Sequence, residues 1–226
     1  MLVALAALLV SVQPGCRESA PPPDSNTKRS LEQARQLEQT FTRIAATVAE
    51  VELAACSDTA IRGAIAKSQN RSVALIDEPS LRRFAQGQGL DVSEPLAYLV
   101  PKSLKDRRPT SQVSDEKSAT DAAYDALALL KGYDYVAVLR YQLKAPKADG
   151  EGFHGGELMG KLALFELKSG KPMCAAPVLV HSHQEIAGKP KQSPQQAADK
   201  DFELELRRVL QETLAGMSPE LNLELG

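Results

Sequence analysis

Tryptophan is absent from the chain, and the other aromatics are few: five tyrosines and five phenylalanines. Proteins that grip bases or sugars by stacking need several exposed rings, so a stacking platform is not expected. An excess of positive charge is missing too. Lys and Arg number 27 against 29 Asp and Glu, a formal net charge of −2. Bulk nucleic-acid binding needs a basic surface that displaces counterions, and that class is set aside. Catalytic signatures are also lacking. There is no Gly-x-Ser-x-Gly elbow, and the three cysteines, Cys16, Cys56 and Cys174, lie far from redox-motif spacing.

Residues Leu2 to Val12 are apolar except Ser11. Such a run falls short of the ~20 residues that span a bilayer. It has the length of the apolar stretch of a secretory signal, although Met1 opens directly into it without basic residues. The following Gln13-Pro14-Gly15-Cys16 resembles the bacterial lipobox, in which a small residue precedes the cysteine that receives the lipid. Gly15 and Cys16 match that pattern, while Gln13 and Pro14 depart from it. The resemblance implies a signal peptide over 1–15 and lipidation at Cys16. The competing reading is a free cysteine in an ordinary apolar N-terminus. Residues 16–29 are polar and contain Pro21-Pro22-Pro23, a composition that keeps a backbone extended and stiff, as a tether requires. Arg17 rather than Asp follows the cysteine, which under the lipoprotein sorting rule points to the outer membrane, facing the periplasm.

Assigning Cys16 to lipid leaves Cys56 and Cys174 as an even pair in an oxidising compartment, and a disulfide between them is expected. It would close a loop of ~118 residues, worth about 4 to 5 kcal/mol in the chain-entropy model. Two separate buried thiols are the alternative.

One α/β domain is expected over 30–216, with 217–226 as a tail. Ser30 and Gln33 stand at capping-box spacing. Behind them, Leu31, Ala34, Leu37, Phe41, Ile44, Val48 and Val51 recur in steps of three and four, one helical stripe. A second helix is predicted over Thr59 to Lys67 behind Asp58, then a strand over Ser72 to Asp77. Further helices follow, one through Leu81 and Phe84 to about Gly87 and a turn over Pro95 to Val100. The charged stretch from Pro101 to Val113 reads as a surface loop. A helix over Ser118 to Lys131 ends where Gly132 can supply a left-handed cap. Strands over 135–143, 158–167 and 173–186 then suggest a three-stranded antiparallel meander, with Lys168 to Lys171 as a tight turn. A last helix spans Gln195 to Ala215, with Gly216 as its stop. The fold class is α/β of the α+β type, helices packed on a mixed, largely antiparallel sheet.

Gly132-Tyr133-Asp134-Tyr135-Val136-Ala137-Val138-Leu139, followed by Leu164-Phe165-Glu166-Leu167-Lys168-Ser169-Gly170-Lys171, resembles a pattern in bacterial envelope lipoproteins. These include assembly factors whose domain is similar to the N-terminal domain of the translocation protein TolB. The resemblance spans roughly 120–215 and carries no site residues.

Gly150-Glu151-Gly152-Phe153-His154-Gly155 has the spacing of a dinucleotide fingerprint, but a polar loop precedes it and a strand follows. That fingerprint needs the reverse context, strand before and helix after. His181, His183 and Glu185 alternate along a predicted strand and would share one sheet face, a donor set able to hold zinc or another divalent ion. A solvated strand end with Val178 and Val180 turned inward is the plainer reading. The expected function is therefore a membrane-tethered envelope lipoprotein with a non-enzymatic binding or assembly role. It needs no cofactor, is held to the membrane by its lipid, and has an envelope protein as its partner class. The alternative is a periplasmic metal or small-ligand binder using His181 and His183, and a hydrolase with a scattered site ranks last.

Overall fold

The computed structural model describes residues 25–53, 59–68, 71–89, 95–105, 110, 116–149, 152–183 and 193–225. Helix α1 runs Ser25–Thr47 and α2 Thr59–Lys67. Strand β1, Ser72–Asp77, leads into α3, Glu78–Ala85, then a 3-10 turn at Ala97–Leu99 and the short α4, Lys102–Lys105. Helix α5, Glu116–Gly132, precedes β2, Tyr135–Lys144. The hairpin β3, Lys147–Asp149, and β4, Gly152–His154, follows. The chain closes with β5, Glu157–Glu166, β6, Pro172–His181, α6, Pro194–Met217, and β7, Asn222–Glu224.

The fold is α/β. Its five-stranded sheet has the order β6-β5-β2-β1-β7. The expected meander is present as β2, β5 and β6, each antiparallel to the next. β1 pairs parallel with β2, and β7 parallel with β1, so the sheet is mixed. Val73 to Ile76 and Tyr135 to Leu139 are buried without a break. Such unbroken apolar runs mark strands covered on both faces, as parallel pairs are.

Helices cover the two faces separately. On one, Ala34, Leu37, Phe41, Ile44 and Val48 of α1 join Leu81 and Phe84 of α3 and Leu129 of α5 over Ile76, Val136, Val138 and Phe165. Phe41 and Phe84 stack with centroids 6.0 Å apart. On the other, Phe202, Leu206, Leu210 and Leu214 of α6 and Ile65 of α2 cover Leu75, Ala137, Leu139, Leu164 and Val178. Fully burying one such side chain is worth roughly 1.5 to 3 kcal/mol, so both helical layers are integral to stability.

Several boundaries differ from the expected ones for local reasons. Ser30 lies inside α1 rather than at its cap. The last helix starts one residue ahead of the expected Gln195: Ser193 and Gln196 form a capping box and Pro194 takes the first turn. α6 runs past Gly216 to Met217, and Gly132 lies within α5 without a positive φ. The stretch after Pro101 is not all surface, because Pro101 and Leu104 are buried. Residues 217–226, expected as a tail, carry Met217 and Leu221 into the core and add β7 to the sheet. The third strand ends at His181, five residues short of the expected Ile186.

Gly160 of β5 sits opposite Tyr141 of β2, where the two paired strands approach closely. A Cβ added there would lie 2.1 Å from the Arg140 carbonyl oxygen, a backbone atom that cannot swing aside. Gly160→Ala should therefore force the two strands apart, lowering stability by about 2 to 3 kcal/mol, the upper part of the overpacking range. Gly89→Ala, which meets nothing within 4 Å, should change stability by less than about 1 kcal/mol. Urea midpoints of the two variants check the contrast, and equal midpoints would refute the close approach.

Candidate functional site

The histidines expected to share a face are parted. His181, the last residue of β6, has Nδ1 3.7 Å from Glu157 Oε1 on the adjoining strand. His183 lies beyond the strand end and turns to α6, where its Nδ1 is 3.0 Å from Asp201 Oδ1 and its backbone N–H donates to Asp201 Oδ2. Each imidazole thus has its own carboxylate. Among the described residues no group of three or more His, Cys, Asp or Glu could hold a metal ion. Glu185, Cys16 and Cys56 lie outside the described residues. Cys174 is buried on β6, in the layer that also holds Ile65 of α2.

At the carboxyl end of β1, Glu78 is 2.6 Å from Arg82 and 3.3 Å from Arg140. The Tyr141 hydroxyl donates to Asp77 Oδ2 at 3.5 Å. Two guanidinium groups meet Glu78, so this corner neutralises its own charge.

Two other surfaces are less self-contained. The first is the distal half of the sheet on the α1 side. Cross-strand register sets Gln142, Met159 and Leu179 in one row, with Lys144, Glu157 and His181 in the next. Met159 and Leu179 are exposed. Lys161 Nζ donates to the carbonyls of Ala49 and Val51, which ties the chain leaving α1 across the sheet. That tie brings exposed Leu53 to a recess shared with Met159.

The second surface is a cleft of about 540 Å³ on the α6 side. Leu96, Tyr98, Leu143, Pro146 and Phe202 form apolar walls, and Glu203 and Lys200 of α6 stand at its edge. Gln195 fixes the wall: its side-chain N–H groups donate to Pro146 O and Asp199 Oδ1, and its Oε1 accepts from Ala148 N–H. Gly156 abuts the same wall, since a Cβ there would meet Phe202 at 2.7 Å and Pro146 at 2.8 Å. Arg207 lies over the Tyr98 ring, 5.7 Å from its centroid. Burial pushes the Glu203 carboxyl up, but hydrogen bonds from Lys200 and Arg207 outweigh it and leave it below its ordinary value.

A scan of protein-family models, a search of curated proteins and a search of solved structures each found no match to this chain.

The outward position of Leu179 follows from strand alternation against Val178 and Val180. The cleft had no sequence signal, because Tyr98, Pro146 and Phe202 come from three distant segments.

Burial pushes the Tyr98 phenol up to about 12, with Glu203 adding to the rise and Arg207 opposing it. An unfolded chain releases this proton near 10. Between the two values the native state binds the proton that the unfolded state has lost, so stability falls as pH rises through that window. Tyr98→Phe should lose less stability than wild type between about pH 10 and pH 12. Urea midpoints at both ends of that range test this, and identical drops would contradict a buried phenol.

Proposed function

We propose that the chain is a lipid-anchored protein of a bacterial cell envelope, facing the periplasm from the outer membrane, with a non-enzymatic binding or assembly role. Its anchor is Cys16 and its tether the proline-rich stretch before α1. Cys56 and Cys174 form a disulfide in this reading. Supporting that pairing, Cys174 is buried in the layer that includes α2, whose first residue lies three positions after Cys56.

One observation carries the binding role: Leu53, Met159 and Leu179 leave an apolar patch on a sheet whose other half is covered by α1 and α3. Lys144, Glu157, Arg140 and His181 surround it with charges of both signs. An apolar centre inside a polar rim is the anatomy of a protein–protein interface. The partner is accordingly another envelope protein, not a lipid surface. No helix among the described residues is long and apolar enough to cross a membrane; in this reading the attachment is the lipid on Cys16.

The test places photoreactive p-benzoylphenylalanine at Leu179, or at Leu204 on the exposed side of α6, in otherwise intact protein. Irradiation of cells should give a discrete adduct from position 179 and none from 204. Met159→Glu should abolish it, and Cys16→Ser should release the protein from the membrane fraction. Equal adducts from both positions, or none, would refute the partner face. Unchanged fractionation of Cys16→Ser would refute the anchor.

A further inference from the structure

The cleft between the 3-10 turn, the end of β2 and the first turns of α6 is separate from the partner face and lies on the opposite side of the sheet. Its volume, about 540 Å³, falls within the ~300 to 1,000 Å³ typical of small-molecule sites. Its depth is apolar, formed by Leu96, Leu143, Pro146 and Phe202. The charges at its edge are already spoken for. Lys200 Nζ is 3.1 Å from Glu203 Oε2, Arg207 Nε is 3.0 Å from Glu203 Oε1, and Asp199 accepts from Gln195. Two cations and two carboxylates balance at this edge, so a ligand bearing a net charge would find no net counter-charge to offset its desolvation.

Tyr98 is the polar group the interior does offer. Arg207 lies over the face of its ring, and Lys105 Nζ fixes its backbone by donating to the Tyr98 carbonyl at 3.0 Å. Among the described residues its hydroxyl has no hydrogen-bond partner, and none enters the causes of its shifted titration. A phenol that stays protonated at neutral pH is a hydrogen-bond donor awaiting an acceptor.

We propose that this cleft is a binding site for a small neutral molecule with an apolar body and a carbonyl or ether oxygen, the body lying against Leu143, Pro146 and Phe202 and the oxygen accepting from the Tyr98 hydroxyl. The wall is preformed. The Gln195 bonds to Pro146 and Ala148 lock the end of β2 to α6, so a ligand need not order it.

Prodan, a neutral dimethylaminonaphthalene ketone, has this chemistry and reports its surroundings by emission colour. Titrated into the full-length protein, it should show saturable one-site binding with a blue shift. Ala145→Trp places a large ring in the cleft from an exposed position that lines it. This should weaken binding by roughly tenfold or more, a change in Kd read directly. Tyr98→Phe keeps the shape and removes the donor, and should weaken binding by about three- to tenfold, the range of one hydrogen bond. Tyr124→Ser, on the exposed side of α5 and away from both surfaces, should leave the titration unchanged. Non-saturable emission, or wild-type affinity in a folded Ala145→Trp variant, would overturn the site. Wild-type affinity in Tyr98→Phe alone would overturn the role of the hydroxyl.

Discussion

The parallel pairing of β1 with β2 is the constraint on which the other elements depend. Val73 to Asp77 lie beside Tyr135 to Leu139 in direct register, and both segments are buried on both faces. Buried backbone groups must find partners. Each strand therefore needs a neighbour on its other side, which β5 supplies for β2 and β7 for β1. Their side chains need cover above and below. That demand places α1, α3 and α5 on one face and α6 and α2 on the other.

The sheet is longer than its cover. β2, β5 and β6 each run ten residues, whereas β1 runs six. Burial along β2 changes at Arg140, from unbroken to alternating. Beyond that point one face opens to solvent around Met159 and Leu179, and the other is only partly filled by the start of α6. The apolar patch and the cleft are thus two consequences of one mismatch in length. They occupy the carboxyl end of β2, the end at which open α/β sheets commonly place their ligands. The far edge is guarded differently: β6 carries Pro177 in mid-strand, which removes a backbone donor from the row an incoming strand would use.

Local and periodic signals were legible in the sequence. The stripe from Ala34 to Val48, the β1 run, the β2–β5–β6 meander and the apolar face of α6 all rest on spacing within one segment. What escaped was non-local. Nothing local in Leu221 to Glu224 says that β1 lacks a neighbour, so those residues read as a tail. Alternation predicted one face for His181 and His183, but the strand ends at His181 and Asp201 draws His183 toward α6. Tyr98 became a candidate only when Leu143, Pro146 and Phe202 closed around it. The likeness to TolB-type domains rested on β2 and the β5 hairpin, segments shared by many sheets.

Native-state hydrogen exchange measures the central claim most directly, because it ranks segments by the opening that exposes them. Amides of 73–76 and 136–139 should exchange slowest, at the rate of global unfolding, while 157–161 and 178–181 exchange earlier from the uncovered half. Exchange of the β1–β2 pair as fast as that of the distal strand ends would contradict the account.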